Sequence, residues 1–503
     1  MQRQGIEFQK VSFTYETMDS PLVEELSLHF PTGWTGIVGA NGAGKTTILR
    51  LATGGLHAQS GRIHIPGAAI YCQQRTDDAP EMLEDLLDST DGEACEIKGR
   101  LGIDDDWPHR WATLSHGERK RAQVAVALWR QPGVLAIDEP TNHLDAQARE
   151  LLAAALPLFR GVGLLVSHDR ELLDSLCGQC LFVDPPDAVM RPGGFSQGME
   201  QAEMDQERAR DEYRNADRTY AKLRKEAAKR RNAAARSHRM RSKRGIPIKD
   251  HDARHKKNLA RLTGKDGKAG KLLNQMKGRV EQAKDQRDGI KLKRRYETGI
   301  WLPGSQSKRN ALFSLPAGTI PLGGGKSLAF PDLVMRPDDR IALTGVNGSG
   351  KSTLVRHLVK GLSLPPERLI YLPQEIDLAA SRAIMDRARS LPGEKLGTMM
   401  SVVSRLGSRP KRLLGSAEPS PGEIRKLVLA TGIANSPHLI VMDEPTNHLD
   451  LPSIEALEKA LSDCPCGLLL VSHDRRFLEA LTQTRWHITE NGDDSSSFEL
   501  RVL

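Results

Sequence analysis

The chain has 503 residues, a formal net charge of +8, 39% hydrophobic residues and 4% aromatic ones, enough material for roughly two to four domains with sizeable cores. No apolar run approaches the ~20 residues that a membrane-spanning helix needs, and the opening MQRQGIEFQK lacks the apolar stretch of a secretory signal. Six scattered cysteines make no disulfide framework; Cys177 with Cys180, and Cys464 with Cys466, are expected to be reduced thiols of a cytoplasmic protein rather than a zinc site.

In chain order, the short apolar run Thr35–Val38 predicts a buried strand. It feeds the glycine loop GANGAGKTT, Gly39–Thr47, in which Gly39 and Gly44 bracket the turn and Lys45 and Thr46 follow. Glycines let successive backbone N–H groups turn inward around phosphates, the lysine reaches the outer phosphates, and the hydroxyl ligates Mg²⁺. The helix that follows adds its positive N-terminal end. Val134–Ile137 is a second buried strand, ending in Asp138 and Glu139. Asp138 stands where a Mg²⁺-associated carboxylate belongs beside such a loop, and Glu139 can accept a proton from an attacking water. LLVSHDR, Leu164–Arg170, places His168 at a strand end as a γ-phosphate contact.

Next comes a segment of different chemistry. Residues 201–300 hold 31 Lys+Arg against 14 Asp+Glu, which leaves 41 against 50 in the other 403 residues. The excess positive charge is therefore confined to one fifth of the chain, as expected for a segment that meets a polyanion. Met199–Arg244 is free of glycine and proline, and Tyr213, Ala216, Tyr220, Leu223 and Ala227 form a heptad-like seam. Beyond Gly245 the pattern fails until Lys271, after which Leu272, Leu273, Met276, Val280, Ala283 and Ile290 make a second seam. A helix out, an irregular tip and a helix back predict an antiparallel hairpin. Arg236, Arg239, Arg241, Lys243, Arg244, Lys256 and Lys257 cluster at its far end, where no Phe, Tyr or Trp occurs between Arg236 and Gln275. Base stacking is thereby disfavoured, and contact with the phosphates and shape of folded RNA is expected.

The remainder repeats the beginning. GVNGSGKST, Gly345–Thr353, matches the first glycine loop, VMDEPTNHLD matches AIDEPTNHLD, and LLVSHDR recurs at Leu469–Arg475. Glu139 to His168 and Glu444 to His473 are both 29 residues, and Ser115 to Glu139 and Ser420 to Glu444 are both 24. Ile341–Thr344 and Leu439–Met442 repeat the two strands, so Lys351 and Ser352, Asp443, Glu444 and His473 inherit the roles argued for the first copy. Alternating strands and helices imply an α/β fold with a mostly parallel sheet in each copy. The expected division is residues 1–197 and 301–503 as two P-loop cassette domains, joined by a basic antiparallel helical hairpin at 198–300.

The glycine loops, LSHGE at Leu114–Glu118, DEPTNHLD and VSHD together resemble the ATP-binding cassette family over roughly four-fifths of the chain. The resemblance implies two ATP molecules, with Mg²⁺, sandwiched between the cassettes of a monomer. It implies that Asn41, Gly42, Thr47, Asn347, Gly348, Gly350 and Thr353 join Gly39, Gly44, Gly345 and the lysines in ATP binding. Ser115, Gly117 and Glu118 would complete the site on Lys351, and Ser420, Gly422 and Glu423 the site on Lys45. Gln74 and Gln374 match the loop that touches Mg²⁺ and water, Asp145 and Asp450 match the D-loop, and Tyr15 matches the adenine-stacking aromatic. The chain departs from the pattern at His116, Pro419 and Pro421. Because proline lacks an N–H, the site on Lys45 is expected to be the slower one. The second half has no aromatic in LGGGKSL, so aliphatic contact with adenine is expected there.

Twin cassettes, no membrane span and a basic hairpin between them resemble the ABC-F subfamily. That resemblance implies an ATPase partnered with the ribosome, its hairpin approaching ribosomal RNA and tRNA, in translation control, rescue or antibiotic protection. Gln74 to Ser115 spans 41 residues, close to the 46 of the second half, which leaves no room for an extra arm; with about 30 residues after His473, no C-terminal coiled coil is expected. The alternative is the double cassette of a membrane importer, which has no use for a basic segment of this size and would sediment with membranes instead of ribosomes.

Overall fold

The structure is a computed structural model that describes residues 5–16, 21–142, 144–241, 252, 265–290, 306–408, 410–415, 419–447, 449–491 and 494–503. The chain forms two compact units, one combining Met1–Gly198 with Tyr296–Leu503 and the other comprising Met199–Arg295.

In the first half of the larger unit, β1 (Ile6–Phe13), β2 (Val23–Phe30) and β4 (Ser60–His64) form a small antiparallel sheet. A second sheet runs β5 (Ala69–Cys72), β6 (Val134–Asp138), β7 (Val162–Val166), β3 (Gly33–Gly39), β8 (Gln179–Asp184) and β9 (Asp187–Pro192). All its pairings are parallel except β8 with β9. All five residues of β6, and all five of β7, are buried, as strands covered on both faces must be. Ile37, Ile48, Leu49, Ala136, Leu164 and Val166 share one core with Phe8 and Phe30 of the small sheet. This clamps helix α1 (Lys45–Ala52) between the two sheets and sets the glycine loop at the carboxyl ends of the parallel strands, the usual ligand edge of such sheets. The first half also contains α2 (Leu83–Asp88), α3 (Gly92–Leu101), α4 (His116–Trp129), α5 (Ala146–Ala155) and α6 (Arg170–Leu176).

The second half repeats the plan in one continuous sheet. Its order is β11 (Gly318–Gly323), β12 (Lys326–Phe330), β19 (Asp494–Val502), β18 (Thr484–Asn491), β14 (Arg340–Gly345), β17 (Gly467–Val471), β16 (Leu439–Asp443) and β15 (Leu369–Leu372). A separate pair joins β10 (Phe313–Leu315) to β13 (Leu333–Met335). The parallel run β15-β16-β17-β14-β18 reproduces β5-β6-β7-β3-β8, which is the sequence duplication expressed as topology.

The smaller unit carries most of α7 (Phe195–Arg241) and all of α8 (Lys265–Asp288). Arg287, near the end of α8, lies 4.5 Å over the ring of Tyr220 and 3.4 Å from Asp217 on α7. Tyr220 is 21 residues from the end of α7 and Arg287 is 22 from the start of α8, so nearly equal lengths of helix lie beyond this contact, as an antiparallel pair requires. Met276 and Ala283 of the second seam are buried, whereas Leu272 is 47% exposed. α8 starts six residues before the expected Lys271 and stops ahead of Ile290. Helix elongation from an established seam costs little per residue, and this carries α8 through Gly267 and Gly270 despite their ~1 kcal/mol penalty each. Of the expected RNA contacts, Arg236, Arg239 and Arg241 fall in the last turns of α7, their side chains outside the described set. Lys243, Arg244, Lys256 and Lys257 lie outside the described residues altogether.

The expectation that Cys464 and Cys466 are reduced thiols needs correcting. Cys464 and Cys466 are joined in a disulfide, their Cα atoms 5.6 Å apart, a separation that the bond accommodates. Cys72, Cys95, Cys177 and Cys180 are free.

Candidate functional site

Each glycine loop ends in a residue that no L-amino acid other than glycine adopts easily: Gly44 has φ 97° and Gly350 has φ 94°. The turn aims the next lysine back over the loop. Lys45 Nζ donates to the carbonyls of Gly39 (2.9 Å) and Ala40 (3.1 Å). Lys351 Nζ does the same to Gly345 (2.8 Å) and Val346 (2.9 Å). Burial lowers the pKa of both lysines, and the neighbouring carboxylates oppose this, Glu139 foremost for Lys45 and Glu444 for Lys351. Thr46 Oγ1 donates to Asp138 Oδ2 at 2.7 Å, and Tyr71 donates to the same oxygen at 3.0 Å. In the second copy Ser352 Oγ lies 3.4 Å from Gln374 Oε1. Hydroxyl, carboxylate and amide oxygens are hard donors that suit Mg²⁺, which keeps several waters and takes few protein ligands. No group of three or more His, Cys, Asp or Glu able to hold a metal occurs among the described residues.

Glu139 and Glu444 have φ of 46° and 51°, a left-handed conformation that costs a non-glycine residue energy and persists only where the surroundings enforce it. Their amides donate to Val166 O (2.9 Å) and Val471 O (2.8 Å) on the adjacent strand. This turns each side chain toward the histidine of its own copy. His168 Nε2 is 3.0 Å from Glu139 Oε1, and His473 Nε2 is 3.5 Å from Glu444 Oε1. The two carboxyls differ in acidity. Burial acts to raise the pKa of Glu139, but His168 and then Lys45 outweigh it and hold it below the usual value. Burial pushes Glu444 up to about 7, against Arg149 and Lys351. Burial, Lys351 and Arg149 lower His473 to about 3, so its ring is neutral.

Two cavities hold these groups. That on Lys45, about 470 Å³, is lined by Tyr15, Asn41, Gly42, Gly44, Thr46, Thr47, Gln74, Asp138, Glu139 and His168, together with Ser420, Pro421 and Gly422 of the second half. That on Lys351, about 380 Å³, is lined by Asn347, Gly348, Gly350, Ser352, Thr353, Gln374, Asp443, Glu444 and His473. Leu322 lines it in the half that has no matching aromatic, and Leu144 reaches it from the first half. Ser115, Gly117 and Glu118 are not among its walls, nor is Glu423 at the other cavity. Glu118 and Glu423 serve their own helices: each closes a capping box with Ser115 or Ser420 at the start of α4 or of the helix Pro421–Ile433. Pro421 occupies the first helical position, where a missing N–H costs the helix nothing. The halves also meet at the D-loop, where the Asn41 amide donates to Asp450 Oδ2 at 2.7 Å.

Lys120 and Arg425 stand out as residues that motif reading missed. Lys120 is fully buried, its pKa lowered to about 8 by burial, and its Nζ donates to Gln73 O at 2.7 Å and lies 3.4 Å from Asp138 O. Arg425 donates to Glu444 O at 2.7 Å and to Gln374 O. Each ties the glutamine loop to the acidic strand end. The available signal was a cation five residues beyond the Ser of both LSHGE and PSPGE.

Two phosphate-cradling loops, each with its own carboxylates and a facing segment from the other half, define a twin-cassette P-loop ATPase. The model of the family described as ABC transporter matches residues 23–142 and 331–447. The ATP-binding protein Uup of Caulobacter vibrioides is 30% identical over 89% of this chain and 71% of its own length. The ribosome protection protein VmlR of Bacillus subtilis is 26% identical over 95% of this chain and 86% of its own. The archaeal ribosome recycling factor aABCE1, seen in complex with the ribosomal stalk protein aP1, superposes with a TM-score of 0.62 at 16% identity, over 98% of this chain and 89% of that one. The chain belongs to the ABC-F subfamily of ATP-binding cassette proteins.

Proposed function

We propose that this ATPase acts on the ribosome, with ATP and Mg²⁺ bound at two sites between its cassettes and the basic hairpin as its RNA-contacting element. The reading rests above all on one observation: the cavity built on Lys45 is walled by Ser420, Pro421 and Gly422 of the other cassette, so a nucleotide there touches both halves of one chain. Such a ligand ties cassette closure to binding within a monomer. A closed pair would then set the pose in which the hairpin is presented to ribosomal RNA and tRNA, and hydrolysis would release it. The charge of residues 201–300, 31 basic against 14 acidic, supports a polyanionic partner. The relative VmlR is a ribosome protection protein, which supports a role in antibiotic protection or translation control.

In this reading Lys45 and Lys351 leave their loop carbonyls for the outer phosphates. Tyr15 stacks on one adenine and Leu322 packs against the other. Thr46, Asp138 and Gln74, or Ser352, Asp443 and Gln374, would hold Mg²⁺, which would supply neutralisation of phosphate charge. Glu139 and Glu444 each take a proton from water, and His168 and His473 steady the carboxylates and meet the γ-phosphate. Pro421 offers the Lys45 site one N–H fewer, which makes it the slower of the two. The parts are the cassettes, 1–197 and 301–503, and the hairpin, 198–300, in a chain of the cytoplasm. No described helix is long and apolar enough to cross a membrane.

The test is sedimentation of the Glu139→Gln, Glu444→Gln chain with ATP over ribosomes and, separately, over membrane vesicles. Retention on ribosomes at low salt is expected. Retention on vesicles alone would favour an importer subunit.

A further inference from the structure

The contacts across the cassette interface are not symmetric, and the sequence differs at the positions that make them. Arg149 on α5 has Ile454 as its counterpart, and Glu458 has Ala153. The Arg149 Nη1 donates to the backbone carbonyl of His473 at 3.2 Å and lies 3.8 Å from Asp169 Oδ2, with the side chain 19% exposed. Arg170 pairs with Glu458 (2.9 Å) and Asp474 (3.5 Å), the latter next to His473. His473 is thereby held on several sides. Its amide donates to Glu444 Oε2 at 3.4 Å, and its Nε2 sits 3.2 Å from Asn347 Oδ1. In the other site His168 meets Glu139 more closely, at 3.0 Å against 3.5 Å, and among the described residues no arginine from the second half bonds to the His168 carbonyl.

We propose that Arg149 is a positioning residue supplied in trans to the Lys351 site: its guanidinium fixes the His473 segment against Glu444, so that closing the interface completes this site by a device that the Lys45 site lacks. The proposal rests on Glu444 being the base of its site. Arg149 acts through a neighbour: it holds the His473 carbonyl from the other cassette, the amide and ring of His473 meet the Glu444 carboxyl, and Arg425 on the helix Pro421–Ile433 donates to the Glu444 carbonyl.

The full-length chain carries the test. With Glu139→Gln, turnover reports the Lys351 site; with Glu444→Gln, it reports the Lys45 site. Arg149→Ile is expected to lower turnover at least fivefold more in the first background than in the second. In the Glu139→Gln background the loss is expected in kcat with the KM for ATP little changed, and Arg149→Lys is expected to recover part of it. Equal loss in both backgrounds, or a loss confined to KM, overturns the proposal. Turnover that survives the combined Glu139→Gln and Glu444→Gln changes at the starting level refutes the assignment of the bases, and the role of Arg149 falls with it. Reduced turnover in that chain with no Arg149 asymmetry removes Arg149 alone.

Discussion

His168 approaches Glu139 to 3.0 Å, while its counterpart His473 stops 3.5 Å from Glu444. Duplicated residues at identical sequence spacing thus sit in unequal surroundings, and the acidity of the two carboxyls diverges accordingly.

Replacing both glutamates by glutamine keeps their shape and removes the proton acceptor. Steady-state turnover is expected to fall about 100-fold or more, while fluorescent ATP analogues still bind. A drop below tenfold would show that another group takes the proton.

The pH dependence should separate the sites. A general base works only when ionised. Glu444 is pushed up to about 7 by burial, so the chain carrying Glu139→Gln is expected to lose turnover as pH falls through about 7. Glu139 is held below the usual carboxylate value by His168 and Lys45 against burial, so the chain carrying Glu444→Gln should stay active further into acid. Turnover measured from about pH 5 to 9, a range that contains the Glu444 ionisation and lies above that of Glu139, decides this; coincident acid limbs would contradict it.

Lys120→Met keeps much of the buried volume but deprives Gln73 O and Asp138 O of their donor. Leaving buried carbonyls unpaired costs about 1–3 kcal/mol, so a lower midpoint in urea unfolding is expected. Activity should fall with it, because Gln74 and Glu139 follow those two carbonyls in the chain. Unchanged stability would mean that water replaces the ammonium at no cost.

Neutralising Arg239, Arg241, Lys243 and Arg244 to glutamine is expected to weaken ribosome binding at low salt. If all four meet phosphates, the log–log salt slope should shrink by about 3. Filter binding across a salt series measures it, and an unaltered slope would take the hairpin tip out of the contact.

The duplication, the P-loops, the acidic strand ends and the helical hairpin were legible in the residues themselves. Each depends on local rules: glycine spacing, apolar runs of strand length, and a seam repeating every three or four residues. The start of α8 was not legible, because Gly267 and Gly270 read as breakers, while elongation from the seam overrides them. The engagement of Glu118 and Glu423 in capping boxes was written in the S-x-x-E spacing, and the signature motif drew attention away from it.

What the sequence determined by itself is the chemistry available in each half, since loop, carboxylate and histidine lie within one repeat. The departures at His116, Pro419 and Pro421 already marked the halves as unequal; only the tertiary structure decided how the surroundings of the two glutamates differ. Arg149 at His473 and Asp450 at Asn41 arise where residues hundreds of positions apart share a low-dielectric interface, and Glu139 and Glu444, both buried, differ because His168 and Lys45 outweigh burial at the first alone. Neither burial nor distance between charges is a property of spacing along a chain.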